Sequence, residues 1–220
     1  MKTVKIQGAD GGVQVGKILC LGRNYAEHAK EMKSEVPTTP VVFLKPPSAL
    51  LTNGEPIVRP AISHDMHHEV ELIVLIGKNG KNVSAAKARE YVLGFGVGLD
   101  MTLRDVQAEA KKKGLPWSVA KGFDTSAPVS EIIPIGKFDG QNEMTIRCSV
   151  NGVVRQQTST SKMIFSVEKI IEYVSGIFTL ERGDVIFTGT PEGVGPVVPG
   201  DNIEAELAGF AKITHQVVAA

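Results

Sequence analysis

Apolar residues along this chain fall in short runs broken by glycine and proline, a rhythm that belongs to strands more than to long helices. Residues 13–21 form an extended apolar run ending at Gly22, and 41–44 (VVFL) form another that Pro46-Pro47 halts. The stretch 68–77 (HEVELIVLIG) starts with period-2 alternation and becomes continuously apolar, as a strand does on passing from an exposed end into a core. Residues 92–99 read as a strand carrying Gly94, Gly96 and Gly98. The sequence 145–150, Asn151-Gly152, 153–158 carries the strongest hairpin signal. Residues 184–188 are a strand that opens into a glycine- and proline-rich loop, 189–200, with two short strands beyond it. Helices are predicted at 24–33 (NYAEHAKEMK), 85–90, 102–113 and 166–174; the third has Asp105 three residues after Thr102, a capping-box-like start. No internal repeat, low-complexity linker or heptad pattern occurs. The expectation is one α+β, strand-dominated domain over 1–220, with a short strand segment at 1–15, the core at 16–220 and short helices on the rim.

Length and charge narrow the function classes. A chain of 220 residues suits one domain, at most two. Lys+Arg equals Asp+Glu at 24 each, so there is no positive excess to neutralise phosphates, and nucleic acid is a poor partner. The 23 glycines and 12 prolines call for many turns, which suits functional loops on a β-rich frame. Residues 1–8 (MKTVKIQG) hold neither a signal-peptide core nor an Arg/Ser-rich presequence, and no run approaches the ~18 apolar residues of a membrane span. A cytoplasmic, soluble protein with no membrane partner is expected. Cys20 and Cys148 each lie in an apolar run and read as buried reduced thiols.

Several nucleotide and hydrolase signatures are missing. Gly94-x-Gly96-x-Gly98 lies inside a strand and has the wrong spacing for a dinucleotide turn. No G-x-x-x-x-G-K-[ST], H-E-x-x-H or G-x-S-x-G occurs. Glu69-Val70-Glu71 carries more information. On a strand, residues i and i+2 share a face about 7 Å apart, close enough to reach one ion. The triplet alone is cheap: Glu204-Ala205-Glu206 is another, read as a solvated strand face. Glu69 and Glu71, however, run directly into LIVLI, and a carboxylate at the mouth of a buried strand needs a cation or strong donors. Asp100 ends the glycine-rich strand and supplies a third acid. Three carboxylates ~4 Å apart would repel by about 4 kcal/mol per pair at an effective dielectric near 20, which a divalent ion removes. Hard oxygen donors favour Mg2+ or Mn2+, admit Ca2+ and disfavour zinc. The competing reading is two surface acids and a helix-capping Asp100.

His28 and Glu31 are spaced i, i+3 on the first predicted helix. A carboxylate beside an imidazole raises its basicity, giving a pair able to deprotonate water; a plain surface pair is the bland alternative. His67 and His68 are second-rank ligand candidates, and His64 and His215 carry no usable signal. Lys121, in WSVAKGFD, has an apolar surround that would aim an ammonium at an anion, unless it is an ordinary surface lysine. The loop from Gly189 to Pro196 (GTPEGVGP) offers backbone N–H groups and the Thr190 hydroxyl as an anion cradle, or is simply a connection.

Taken in order, these pieces resemble the fumarylacetoacetate hydrolase family, most closely its small acylpyruvase and oxaloacetate decarboxylase branch. The matching stretches are GRNYAEHAKEM, FLKPPSAL, HHEVELIVLIG, GLDMTLRDVQ, KKKGLPWSVAKGFDTSAPVS and GDVIFTGTPEGVGPV, which cover nearly the whole chain. The resemblance implies that family's mixed β-sandwich roll, a homodimer, and a metal site at the mouth of the roll. It places the Mg2+/Mn2+ ligands on Glu69, Glu71 and Asp100, and a His–Glu dyad on a lid segment at His28 and Glu31. It places the family's lysine on Lys121, and substrate contacts on Arg23, Gly189 and Thr190, with Arg104 and Gln107 as further polar positions. The short N-terminus resembles the small branch, which lacks the separate N-terminal domain of true fumarylacetoacetases. The implied activity is hydrolysis of 2,4-dioxo acids, acylpyruvates giving pyruvate and a carboxylate, with no organic cofactor. Alternatives are oxaloacetate decarboxylation or keto–enol tautomerisation, 2-hydroxyhepta-2,4-diene-1,7-dioate isomerisation, and idle binding of a 2-oxo acid.

Overall fold

A computed structural model describes residues 2–32, 34–139, 141 and 143–220; Lys33, the end of the first predicted helix, lies outside the described residues. Two mixed sheets carry most of the core. The first orders its six strands Ile133–Pro134, Val92–Leu99, Val70–Ile76, Val185–Phe187, Ile18–Gly22 and Val41–Lys45; only the pair Val185–Phe187 and Ile18–Gly22 is parallel. The second orders its five strands Val153–Ser159, Thr145–Val150, Asn202–Leu207, Ala211–Ala219 and Ile57–Arg59. Leu72, Val74, Val97 and Leu99 from the first sheet pack in one cluster with Ile146, Cys148, Ile203 and Ile213 from the second. The architecture is the strand-dominated α+β domain read from the sequence, arranged as the roll that the resemblance implies, with short helices at its edge. Among the described residues no helix is long and apolar enough to cross a membrane.

Several local readings sharpen. The hairpin turns at Asn151-Gly152, both at positive φ, and its strands pair from Thr145↔Ser159 to Val150↔Val153. The extended run at 13–21 is two strands, Gly12–Gln14 and Ile18–Gly22. The segment predicted as a helix at 85–90 is a 3-10 helix, Ala85–Tyr91, against helix Val167–Ile177, whose N-cap is the Ser166 hydroxyl. The helix predicted from Thr102 is Arg104–Lys113, and no side chain caps it. Thr102 instead belongs to a two-residue strand, and its hydroxyl bonds Lys121 and the Asp100 carbonyl. Asp105 takes hydrogen bonds from the Ser63 hydroxyl and the His64 amide, so tertiary partners displace the capping box. Glu204 and Glu206 pair with Lys212 and Arg147 on the outer strand face, as a solvated pair should. Both cysteines are free and buried.

The glycines of strand Val92–Leu99 are there for close approach. A methyl group on Gly98 would lie 2.7 Å from the Pro128 carbonyl oxygen and 2.7 Å from Ile73 Cδ1. Gly98→Ala should therefore lower stability by about 2–3 kcal/mol. Gly136→Ala, where nothing stands within 4 Å, should leave the denaturation midpoint nearly unchanged.

His215, on strand Ala211–Ala219, is buried; its Nδ1 meets the Glu55 carbonyl at 2.6 Å and its Nε2 has no partner. Burial lowers its pKa below the ordinary histidine value, the Glu55 contact opposing. The unfolded chain therefore takes up a proton that the folded chain refuses, and stability falls as pH drops through about 6.5, by up to about 1.4 kcal/mol per pH unit. Urea midpoints between pH 7.5 and 5.5 should show a shallower slope in His215→Gln than in the parent. The slope that remains is the balance between His67 and His68, whose pKa values burial also lowers, and Glu71, whose raised pKa acts in the opposite direction.

Candidate active site

Strand pairing brings the three acids together. Val70–Ile76 and Val92–Leu99 run antiparallel with Val70 opposite Leu99 and Glu71 opposite Gly98. The next residue, Asp100, therefore arrives beside Glu69, and its amide donates to the Glu69 carbonyl at 2.8 Å. Gly98 puts no side chain across from Glu71. One carboxylate oxygen from each of Glu69, Glu71 and Asp100 lies within 4.8 Å of the others, and all three residues are buried.

Three cations meet this cluster unequally. Lys121 Nζ donates to Glu69 at 2.7 Å, Asp100 at 2.5 Å and Thr102 Oγ1 at 2.6 Å, so its three N–H groups are all engaged. Arg104 donates to Glu69 and, at 2.8 Å, to Gln107. Lys45 Nζ stands 2.8 Å from Asp100 Oδ1 as an ion pair, but its aligned bonds go to the Met101 and Lys121 carbonyls and to Ser126; among the described residues the buried Asp100 Oδ1 has no hydrogen bond. The protonation balance follows. Burial pushes Glu69 up, but Lys121 and Arg104 outweigh it and hold its carboxyl well below the usual range. Burial and then the charges of Asp100 and Glu69 push Glu71 well above that range. Burial works against the Lys121 ammonium, but Asp100 and Glu69 raise its pKa.

The remaining predicted residues surround this cluster. Helix Ala26–Glu31 presents His28, whose Nδ1 lies 3.1 Å from Glu31 Oε2. The Gly193 amide donates to both Glu31 oxygens, at 3.1 and 3.3 Å. The Gly189 amide donates to Glu71 Oε2 at 2.6 Å; its φ of 98° and the 2.6 Å that would separate a methyl there from Asn24 Cβ restrict this position to glycine. Arg23, His28, Glu69, Glu71, Asp100, Arg104, Gln107, Lys121 and Thr190 all line one cavity of about 60 Å³, walled also by Phe43 and Trp117. Glu31 and Gly189 reach it through His28 and Glu71. The histidines ranked second stand apart: His67 pairs with Asp65, and His68 with Gln156.

Three buried polar residues were not legible from the sequence. Lys45 ends an apolar strand, where a lysine ordinarily marks a surface end. Asn24 ties the segment before the helix to Thr188 and Phe165 through three bonds. Gln156 lies in a hairpin strand of mixed polarity and bonds both His68 and Thr190. Lys45 and Asn24 fall in the FLKPPSAL and GRNYAEHAKEM stretches, but only as part of the resemblance and without a role; Gln156 falls in none of the matching stretches.

The donor set fits a hard divalent cation. Three carboxylates converge, the buried Asp100 Oδ1 has the Lys45 ion pair but no aligned hydrogen bond, and Glu71 is an acid whose neighbours favour its neutral form. Cation charge at this point would resolve all three conflicts.

A family profile described as fumarylacetoacetate (FAA) hydrolase C-terminal matches residues 17–218. The chain belongs to this family. It is 51% identical over 200 residues to the mitochondrial oxaloacetate tautomerase FAHD1 of Homo sapiens, covering 91% of this chain and 90% of that one. It is 50% identical over 195 residues to the mitochondrial oxaloacetate decarboxylase of Dictyostelium discoideum, covering 88% and 89%. The fumarylpyruvate hydrolase of Pseudomonas aeruginosa, crystallised with Mn2+ and pyruvate, superposes with a TM-score of 0.95 at 36% identity, covering 100% of this chain and 96% of that one. The family fold and the roll described above therefore agree.

Proposed function

We propose that the protein is a Mg2+- or Mn2+-dependent hydrolase of 2,4-dioxo acids. The observation that carries this reading is a histidine, backed by a carboxylate, that lines the same cavity as three converging acids. Glu69, Glu71 and Asp100 would hold the ion, which when bound supplies charge to stabilise a developing enolate. Arg23 and the Thr190 loop orient the substrate carboxylate, with Arg104 and Gln107 on the adjoining wall. His28 removes a proton from water, and Glu31 stabilises the resulting imidazolium. The water oxygen bonds to the distal carbonyl carbon. As the carbonyl re-forms, the bond from that carbon to C3 breaks, its electron pair passing to the enolate of pyruvate; the proton held by His28 passes to C3, giving pyruvate, and the carboxylic acid released beside it ionises. Lys121, at the floor of the cavity, adds positive charge beside the enolate oxygen.

A second reading is favoured by relatives named oxaloacetate tautomerase and oxaloacetate decarboxylase at 50–51% identity. Tautomerisation needs only proton transfer between C3 and the 2-oxo oxygen, and decarboxylation passes through the same enolate. Purified protein should be assayed with acetylpyruvate and with oxaloacetate, each with Mg2+ and with Mn2+. Efficient pyruvate release from acetylpyruvate supports the first reading; turnover of oxaloacetate alone would replace it with the second. No turnover of either would leave a 2-oxo acid-binding protein.

A further inference from the structure

Gln156 stands outside the chemistry derived so far, yet its side-chain amide is fully engaged beneath the active-site loop. It lies on strand Val153–Ser159 and is 1% exposed. Its Oε1 accepts from the Val70 amide at 3.0 Å and meets His68 Nδ1 at 2.9 Å. Its Nε2 donates to the Pro191 carbonyl at 2.9 Å and to Thr190 Oγ1 at 2.8 Å. A backbone N–H can only donate and a backbone carbonyl can only accept, so Val70 and Pro191 together fix which end of the amide is oxygen. Two consequences are forced. His68 carries its proton on Nδ1, and Thr190 Oγ1 is an acceptor toward Gln156.

The hydroxyl hydrogen of Thr190 must then point away from Gln156. Thr190 is 3% exposed and lines the cavity beside Glu71 and Asp100, and among the described residues that hydrogen has no acceptor. We infer that Gln156 is a positioning residue. By holding the acceptor side of Thr190 Oγ1 it makes Thr190 an obligatory hydrogen-bond donor to an anionic oxygen of the bound 2-oxo acid. A hydroxyl free to rotate would have to be ordered by each arriving ligand; this one is ordered beforehand. The inference rests on the reading above that a 2-oxo acid carboxylate lies against Thr190.

Oxalate titrated calorimetrically into Mn2+-loaded protein provides the test, with Mn2+ affinity measured separately for every variant. Thr190→Val should weaken oxalate about 10-fold or more, and Thr190→Ser, which keeps the hydroxyl, less than about 3-fold. Gln156→Glu keeps the shape but offers Thr190 an acceptor instead of a donor, drawing the hydroxyl hydrogen out of the cavity; about a 10-fold loss is expected. Gln156→Met, neutral and of similar length, should act in the same direction and serves if the glutamate variant folds poorly. The deciding comparison is the pair Thr190→Val and Gln156→Glu combined: the second change should add less than about 2-fold, because the hydroxyl it misdirects is already gone. Additive losses, or unchanged oxalate affinity in both Gln156 variants, would overturn the inference. So would a fall in Mn2+ affinity that matches the oxalate loss, since Gln156 would then act through Val70, which stands between Glu69 and Glu71. Failure of oxalate to bind the parent protein would instead refute the 2-oxo acid reading itself, and the inference with it.

Discussion

Glu71→Gln is expected to abolish tight Mn2+ binding while making the protein more stable in excess EDTA. Of the three buried acids, Glu69 is held by Lys121 and Arg104, and Asp100 by Lys121 and Lys45. Among the described residues no cation pairs directly with Glu71: the Gly189 amide donates to it, and burial together with the charges of Asp100 and Glu69 outweighs the more distant Lys121 and works against its ionised form. Glutamine has the same shape, still accepts from Gly189 and carries no charge. Glutamine is neutral without taking up a proton, so folding no longer has to protonate this carboxyl or hold it charged against Asp100 and Glu69, which should raise the EDTA-treated protein's stability by about 1–3 kcal/mol, read as a higher denaturation midpoint. Removing one of three anionic ligands should weaken Mn2+ by about 100-fold or more, because even outer supporting groups of metal sites are worth 10–100-fold. Turnover should fall by about three orders of magnitude, within reach of what a bound metal contributes to charge stabilisation. A lower midpoint in EDTA would show that the three carboxylates are not in conflict, and the case for a cation between them would fail.

The contrast between Glu69-Val70-Glu71 and Glu204-Ala205-Glu206 shows which kind of site information is readable in a sequence. Both read as acid-x-acid triplets on strands, and the apolar run that follows Glu71 separates them in advance, although the strand expected over 68–77 is in fact two, Met66–His68 and Val70–Ile76, with Glu69 at the break between them. The structure places the first in the core beside Asp100, and the second on an outer face with Lys212 and Arg147. Strand positions, the Asn151-Gly152 hairpin and the His28–Glu31 spacing were legible because each depends on neighbours a few residues away. Lys45 and Gln156 were not, because their roles come from partners 55 to 88 positions distant: Asp100 for Lys45, and His68 and Val70 for Gln156. Thr102 failed for the same reason. Its local spacing to Asp105 favours a capping box, but the long-range bond to Lys121 and the Ser63 contact of Asp105 prevail. Local pattern predicts a residue's secondary structure well, and its hydrogen-bond partners only when no distant group competes for them.

His28→Ala should separate the reactions that share an enolate. In hydrolysis a water molecule must lose a proton as it attacks the distal carbonyl, and in the proposed mechanism His28, which lines the cavity 3.1 Å from Glu31, takes that proton. Removing a general base costs typically 10²–10⁴-fold, so acetylpyruvate hydrolysis should fall by about 10³-fold. Oxaloacetate decarboxylation has no such requirement. The bond between C3 and the departing carboxylate breaks, carbon dioxide leaves, and the electron pair passes to the enolate without any water being activated. It should therefore retain its rate within about 10-fold in the same variant, and Mn2+ affinity should hold within about 3-fold because the imidazole is not among the three acids. Glu31→Gln should give an intermediate loss of hydrolysis: the Gly193 amide still holds the side chain through its oxygen, while the charge that stabilises the imidazolium is gone. The measurement is pyruvate formation from each substrate at saturating Mn2+, in parent and both variants. Equal losses on acetylpyruvate and oxaloacetate would assign His28 to substrate binding or lid closure, and hydrolysis would then need another base. Unchanged hydrolysis in His28→Ala would remove the dyad from the mechanism altogether, leaving the metal-facing acids and Lys121 to account for whatever turnover the protein has.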